Sequence, residues 1–222
     1  MKDQFIKRVL LCVFSTVLSV HTVSASPVIS ELFYDASGTD AGQVFVELFG
    51  MPGESLDGLV LEGVNGTGGT VYGSLDLSGE VIPGDGVFVI GDDNGGSTSV
   101  PNADLIADID YQNGPDSVVL RSGSLILDAV GYGSFTGASI FAGEGAAAPD
   151  PASGSSIARF NPLLDSGDNS LDFVVLEMPT PGVVPLVSSV PLPAGIWLFI
   201  SGLLPLVSSR FLRRGGHSPA AA

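Results

Sequence analysis

Arg159 is soon followed by Asp165, Asp168, Asn169 and Asp172. Carboxylate and amide oxygens are hard ligands, and Ca²⁺ takes about six to eight of them. The spacing D-x-x-D-N-x-x-D departs from an EF-hand loop, whose acids alternate around a central glycine. The same residues also fit an Asx-turn network with Arg159 pairing one carboxylate. A second acidic group comprises Asp92, Asp93 and Asn94, then Asp104, Asp108 and Asp110. It suits weak Ca²⁺ binding or solvated turns. Glu31, Glu47 and Glu62 are the candidates for an acid–base pair in glycoside hydrolysis. Tyr34, Tyr72, Tyr111 and Tyr132 are the aromatic residues that could stack a sugar there, since the single Trp is Trp197.

What is missing restricts the chemistry further. The two histidines are His21 and His217, the one cysteine is Cys12, and the lysines are Lys2 and Lys7. Residues 26–190 therefore contain no His, Cys or Lys. A Ser-His-Asp triad, a Cys-His pair, a His/Cys zinc site and a Schiff-base lysine cannot be assembled there. Of the 24 acidic residues only Asp3 lies outside this stretch, and of the eight basic ones only Arg121 and Arg159 lie inside it, so its net charge is −21. Such a surface repels nucleic acid and anionic lipid. No cofactor is expected beyond weakly held Ca²⁺.

The elements that must position these residues are short strands. In Gln43–Phe49, Val44, Val46 and Leu48 share one face; Phe45, Glu47 and Phe49 share the other. Gly86–Gly91 is a nearly continuous apolar run and reads as a fully buried strand. Ser122-Gly123-Ser124 between two apolar runs signals a hairpin. Further strands are expected at 28–34, 59–64, 71–77, 155–160 and 172–177, about nine in all, which indicates a sandwich or barrel. Gly137–Ser156 reads as a long surface loop.

Both ends carry signals of another kind. Lys2, Lys7 and Arg8 precede the uncharged run Val9–Val20, and Val23 and Ala25 occupy the small-residue positions of a signal peptidase site. Cleavage is expected between Ala25 and Ser26. Residues 183–191 form a Pro-containing linker. Leu192–Ser209 is uncharged and is followed by Arg210, Arg213 and Arg214, which would stay cytoplasmic. Val190-Pro191-Leu192-Pro193-Ala194 at its entry matches in full the motif of the PEP-CTERM sorting signals named for VPLPA, and the tail 192–214 resembles that family. The resemblance implies a Gram-negative bacterium and an exosortase-like enzyme as partner. It also implies removal of the tail, with residence first at the inner membrane and then at the cell surface or in an exopolysaccharide matrix. Residues 215–222 complete the chain as a flexible tail.

The middle has a resemblance of its own. Val28–Leu32, Phe45-Val46-Glu47-Leu48, Leu56–Leu61, Ile82-Pro83-Gly84-Asp85, Asp116–Leu120, Leu127–Gly133 and Thr180-Pro181-Gly182 follow one another in the order of the lamin-tail domain. The resemblance implies an all-β, immunoglobulin-like β-sandwich over residues 26–182, a binding or structural module with no catalytic residues. The whole chain would then be that sandwich flanked by a signal helix and a C-terminal transmembrane helix. The functional expectation is a non-catalytic exported surface or matrix module that binds exopolysaccharide or other surface proteins. A carboxylate-based hydrolase and an ordinary single-pass anchored domain are the alternatives.

Overall fold

The computed structural model describes residues 26–183, apart from Asp110. The signal and transmembrane helices expected at the two ends lie outside them. Among the described residues no helix is long and apolar enough to cross a membrane.

Ten strands of the described residues form two sheets. They are β1 (Val28–Phe33), β2 (Phe45–Phe49), β3 (Leu59–Asn65), β4 (Val71–Asp76), β5 (Val87–Asp92), β6 (Leu105–Ala107), β7 (Asp116–Ser122), β8 (Leu125–Tyr132), β9 (Ser156–Arg159) and β10 (Phe173–Leu176). One sheet has the order β10-β9-β1-β2-β5-β6 and the other β4-β3-β7-β8. The pairs are antiparallel except β5–β6, which is parallel. Among the described residues one short helix, α1 (Asn169–Asp172), precedes β10.

The period-two alternation places the core. Ile29, Leu32, Val46, Leu48, Phe88 and Ile157 from the larger sheet meet Leu61, Val118, Leu120 and Val130 from the smaller. The protein is thus a two-layer β-sandwich. Residues of opposite parity point outward, yet parts of both outer faces are covered. The segment between β5 and β6 brings Val100 against Phe45, Val87 and Val89 on the outside of the larger sheet. The stretch read as a surface loop packs on the outside of the smaller sheet, where Ala142 meets Val64, Val119 and Ala129. Phe141 sits edge-on to Phe135, with ring centroids 4.9 Å apart. Gly131 makes this packing possible, because a Cβ there would stand 2.1 Å from the Phe141 ring. The expected loop is irregular, as read, but it is a cover rather than a free surface segment.

The β7–β8 hairpin turns at Gly123, whose φ of 58° suits glycine. The strand that pattern reading missed is β6. Its three residues lie between Asp104 and Asp108, and it is held only on one side, by β5.

Candidate functional site

Two groups of buried charge stand out, one between the sheets and one outside the larger sheet. The inner group centres on Arg159 at the end of β9. Its side chain shares the inward face with Ile157 and lies completely buried. Its Nη2 donates to Asp128 Oδ1 at 2.8 Å, and its Nη1 donates to Asp172 Oδ2 at 3.0 Å and Asp165 Oδ1 at 3.4 Å. Nε donates to the Ile29 carbonyl at 3.2 Å, and the guanidinium lies 4.8 Å from the centroid of the Phe173 ring. Asp128 in turn accepts the Ile29 N–H at 2.6 Å. The Arg159–Asp128 pair therefore ties β9 of one sheet to β8 of the other and holds the start of β1 by both its backbone groups.

The sequence candidates here are spread over different tasks. Asp168 caps α1, accepting from the Ser170 N–H and hydroxyl, and also accepts from the Ala146 N–H. Asn169 is completely buried. Its Oδ1 accepts from the Gly131 and Glu144 N–H groups and its Nδ2 donates to the Ala129 carbonyl, which laces α1 to β8. Asp172 accepts from Arg159 and from the Ser166 N–H. Asp165, the most exposed of the four, reaches Arg159 and accepts from the Gly167 N–H. Asp165 and Asp172 share Arg159, whereas Asp168 and Asn169 serve the helix cap and β8.

A different acidic set does converge. Carboxylate oxygens of Asp128, Glu144 and Asp165 lie within 4.8 Å of one another. Burial pushes Asp128 up while Arg159 holds it down. Burial, reinforced by the charges of Asp128 and Asp165, pushes Glu144 up to about 7, and its Oε2 is buried without a hydrogen-bond partner. Sequence reading passed over Asp128 and Glu144 as site residues. The available signal was an aspartate at an inward position of the apolar run Leu125–Tyr132.

The outer group is Glu31 on β1 and Glu47 on β2, which face each other across the strand register. They are 2 % and 1 % exposed. Glu31 Oε1 accepts from Ser156 Oγ at 2.6 Å and the Thr180 N–H at 2.9 Å, and its Oε2 accepts from Thr180 Oγ1 at 2.7 Å. Glu47 accepts from Ser30 Oγ at 2.7 Å and the Gly182 N–H at 2.8 Å. Asn102 Nδ2 adds a bond to the Pro181 carbonyl. Thr180-Pro181-Gly182 is thus strapped across the outside of the sheet. Burial pushes Glu47 up to about 7; its two hydrogen bonds oppose this, and the charges of Glu31 and Asp85 add to it.

No family model, curated protein or solved structure matches this chain.

Most of the remaining candidates are engaged in local structure, and Asp110 lies outside the described residues. Glu62 lies in the other sheet, bonded to Arg121. Asp92 is buried and accepts from the Gly42 and Ile109 N–H groups; Asp93 accepts from Gly96 and Asp104 from Val89. Tyr34, Tyr111 and Tyr132 are core residues, with Tyr34 stacked on Tyr132 at 4.0 Å and Tyr111 edge-on to Tyr72 at 6.3 Å. Their faces are therefore closed to a sugar, and only Tyr72 is partly exposed.

An apolar cleft of about 400 Å³ opens beside the inner group. Val28, Phe49, Met51, Leu127 and Leu163 line it, Asp165 is its one carboxylate, and Ser26 lies at its edge. A small hollow of about 80 Å³ is lined by Tyr72, Tyr111 and Asp108. Ala25, the motif residues Val190, Pro191, Leu192, Pro193 and Ala194, and Arg210, Arg213 and Arg214 lie outside the described residues.

Proposed function

We propose that this protein is a non-catalytic, exported surface or extracellular-matrix module: a lamin-tail-type, immunoglobulin-like sandwich delivered by an exosortase-like system. The observation that carries the non-catalytic part is how the buried carboxylates are used. Glycoside hydrolysis by paired carboxylates needs two of them, about 5–10 Å apart, flanking an open cleft. Glu31 and Glu47 are neighbours, but they lie beneath the strap and their oxygens are taken up by it and by the hydroxyls of Ser30 and Ser156. The large cleft and the small hollow each offer one carboxylate, Asp165 and Asp108. The export part rests on the N-terminal signal pattern and on the full VPLPA match at Val190–Ala194 before the apolar run and its arginines.

The intact mass of the mature protein from its native host tests the export reading. The expected mass begins at Ser26 and ends near Pro191 to Gly195. A mass that retains Arg213 and Arg214 makes the protein a permanently anchored domain and removes the matrix reading. Reproducible release of sugar from an extracellular polysaccharide by the purified protein would overturn the non-catalytic reading.

A further inference from the structure

We propose that Glu31, Glu47 and the strap Thr180–Gly182 form a proton-linked clasp, closed most tightly while Glu47 carries a proton and loosened when both carboxylates are ionised. The geometry sets up the conflict. Two glutamates face each other on adjacent strands, both almost fully buried. Like charges directly opposed on a sheet repel, and burial removes the water that would screen them. The groups facing Glu47 supply no positive charge. Glu31 stands on β1, Asp85 in the turn before β5, and Val89 of β5 is its register partner on the other side. Ser30, Thr180 and Gly182 contribute neutral donors. The two arginines of the described residues are engaged elsewhere, Arg121 with Glu62 and Arg159 with Asp128, Asp165 and Asp172.

A proton on Glu47 costs the clasp no hydrogen bond. A carboxylate there accepts from Ser30 Oγ and from the Gly182 N–H. A protonated carboxyl can donate to Ser30 Oγ, because a hydroxyl both gives and receives, while its other oxygen keeps the Gly182 N–H. The same reversal is open to a glutamine side chain. Glu31 accepts two donors from Thr180 and one from Ser156. Opening the strap lets water reach both groups and returns Glu47 to the ordinary glutamate range. Docking should therefore strengthen up to about tenfold per pH unit as pH falls from about 7 towards 4.5, and level off above 7.

The strap is the last described segment before the linker, so the clasp fixes where the sandwich releases its C-terminal chain. Its test does not depend on the export reading. Amide hydrogen exchange at Thr180 and Gly182 is measured in the full-length chain at pH 8 and pH 5.5 and corrected for intrinsic rates. The Gly42 amide, bonded to Asp92, serves as the reference. The expected result is at least a tenfold gain in protection at pH 5.5 for the strap amides relative to Gly42, and protection independent of pH in Glu47→Gln. Equal protection at both pH values in the wild type overturns the proposal, and so does a Glu47→Gln profile that follows the wild type. A measurement without a variant is the ¹³C titration of the Glu47 carboxyl. Its midpoint should coincide with the pH at which strap protection begins to rise as pH falls, and an onset more than about one pH unit from that midpoint overturns the clasp.

Discussion

The inner and outer groups solve one problem, carboxylates without water, by opposite means. Between the sheets, Arg159 supplies a counter-ion to Asp128, Asp172 and Asp165, and its Nε donates to the Ile29 carbonyl. Outside the larger sheet, Glu31 and Glu47 have no cation and rely on neutral donors, two from backbone amides and three from hydroxyls. A counter-ion balances the three aspartates, although burial still pushes Glu144 beside them up to about 7. Neutral donors leave a site that a proton can change. The first arrangement suits the junction of two sheets, and the second suits a strap that lies over one.

The comparison predicts that removing the cation has the largest effect of any single change. Arg159→Met keeps the volume but leaves Asp128 and Asp172 buried without a cation, each with one backbone N–H. The expected loss is about 3–5 kcal/mol in denaturant unfolding. Arg159→Lys should rescue little, because an ammonium cannot reach three carboxylates and a carbonyl from one planar fork. A loss under about 1 kcal/mol for the methionine variant would mean that the inner group does not hold the sheets together.

The pH dependence comes next. Glu47 and Glu144 both stand near 7 in the folded chain and near 4.5 when unfolded. The folded state then holds protons that the unfolded state has lost, so stability should rise as pH falls from 7 to about 5 and stay flat above 7. For Glu47 the upper bound is about 3 kcal/mol. Melting temperatures at pH 8 and pH 5 check the sign. Glu47→Gln should flatten part of the slope and raise stability at pH 8. A melting temperature that falls between pH 8 and pH 5 would contradict the raised positions of both glutamates. Below that in size is Asn169→Leu, which removes two buried hydrogen bonds from α1 to β8 and a third to Glu144, and should cost about 2–3 kcal/mol at either pH.

The strands were legible because alternation and apolar runs are local properties. Residues 43–49 show both faces of β2, and the run before Gly91 is β5. The pairing of charges was not legible, because it depends on register and on contacts far apart in sequence. Asp128 and Arg159 are 31 residues apart, and Glu31 and Thr180 are 149 apart. The three glutamates singled out for acid–base chemistry included the two that meet, but nothing in their spacing revealed the strap that covers them. Arg159 was read with the right neighbourhood and an incomplete set of partners. Asp165 and Asp172 lie in the loop beside it, whereas Asp128 arrives from the opposite sheet. β6 escaped notice because its three residues have no alternation to read and are defined by pairing with β5.

The smallest expected effect distinguishes hydroxyl from backbone in the clasp. Thr180 offers Glu31 both its N–H and its hydroxyl, so Thr180→Val removes one donor and keeps the other and the side-chain shape. A buried acceptor that loses one of its donors should cost about 1 kcal/mol, or about 2–4 °C in melting temperature for a domain of this size. Thr180→Ser restores the hydroxyl and should recover most of that loss. The deficit of the valine variant should be larger at pH 8 than at pH 5, because the lost donor matters most where both carboxylates are charged and closest to repelling the strap. An equal deficit at both values would place the hydroxyl in the packing of the strap rather than in its charge balance. The contrast between a fixed inner pair and a titrating outer one would then rest on Glu47 alone.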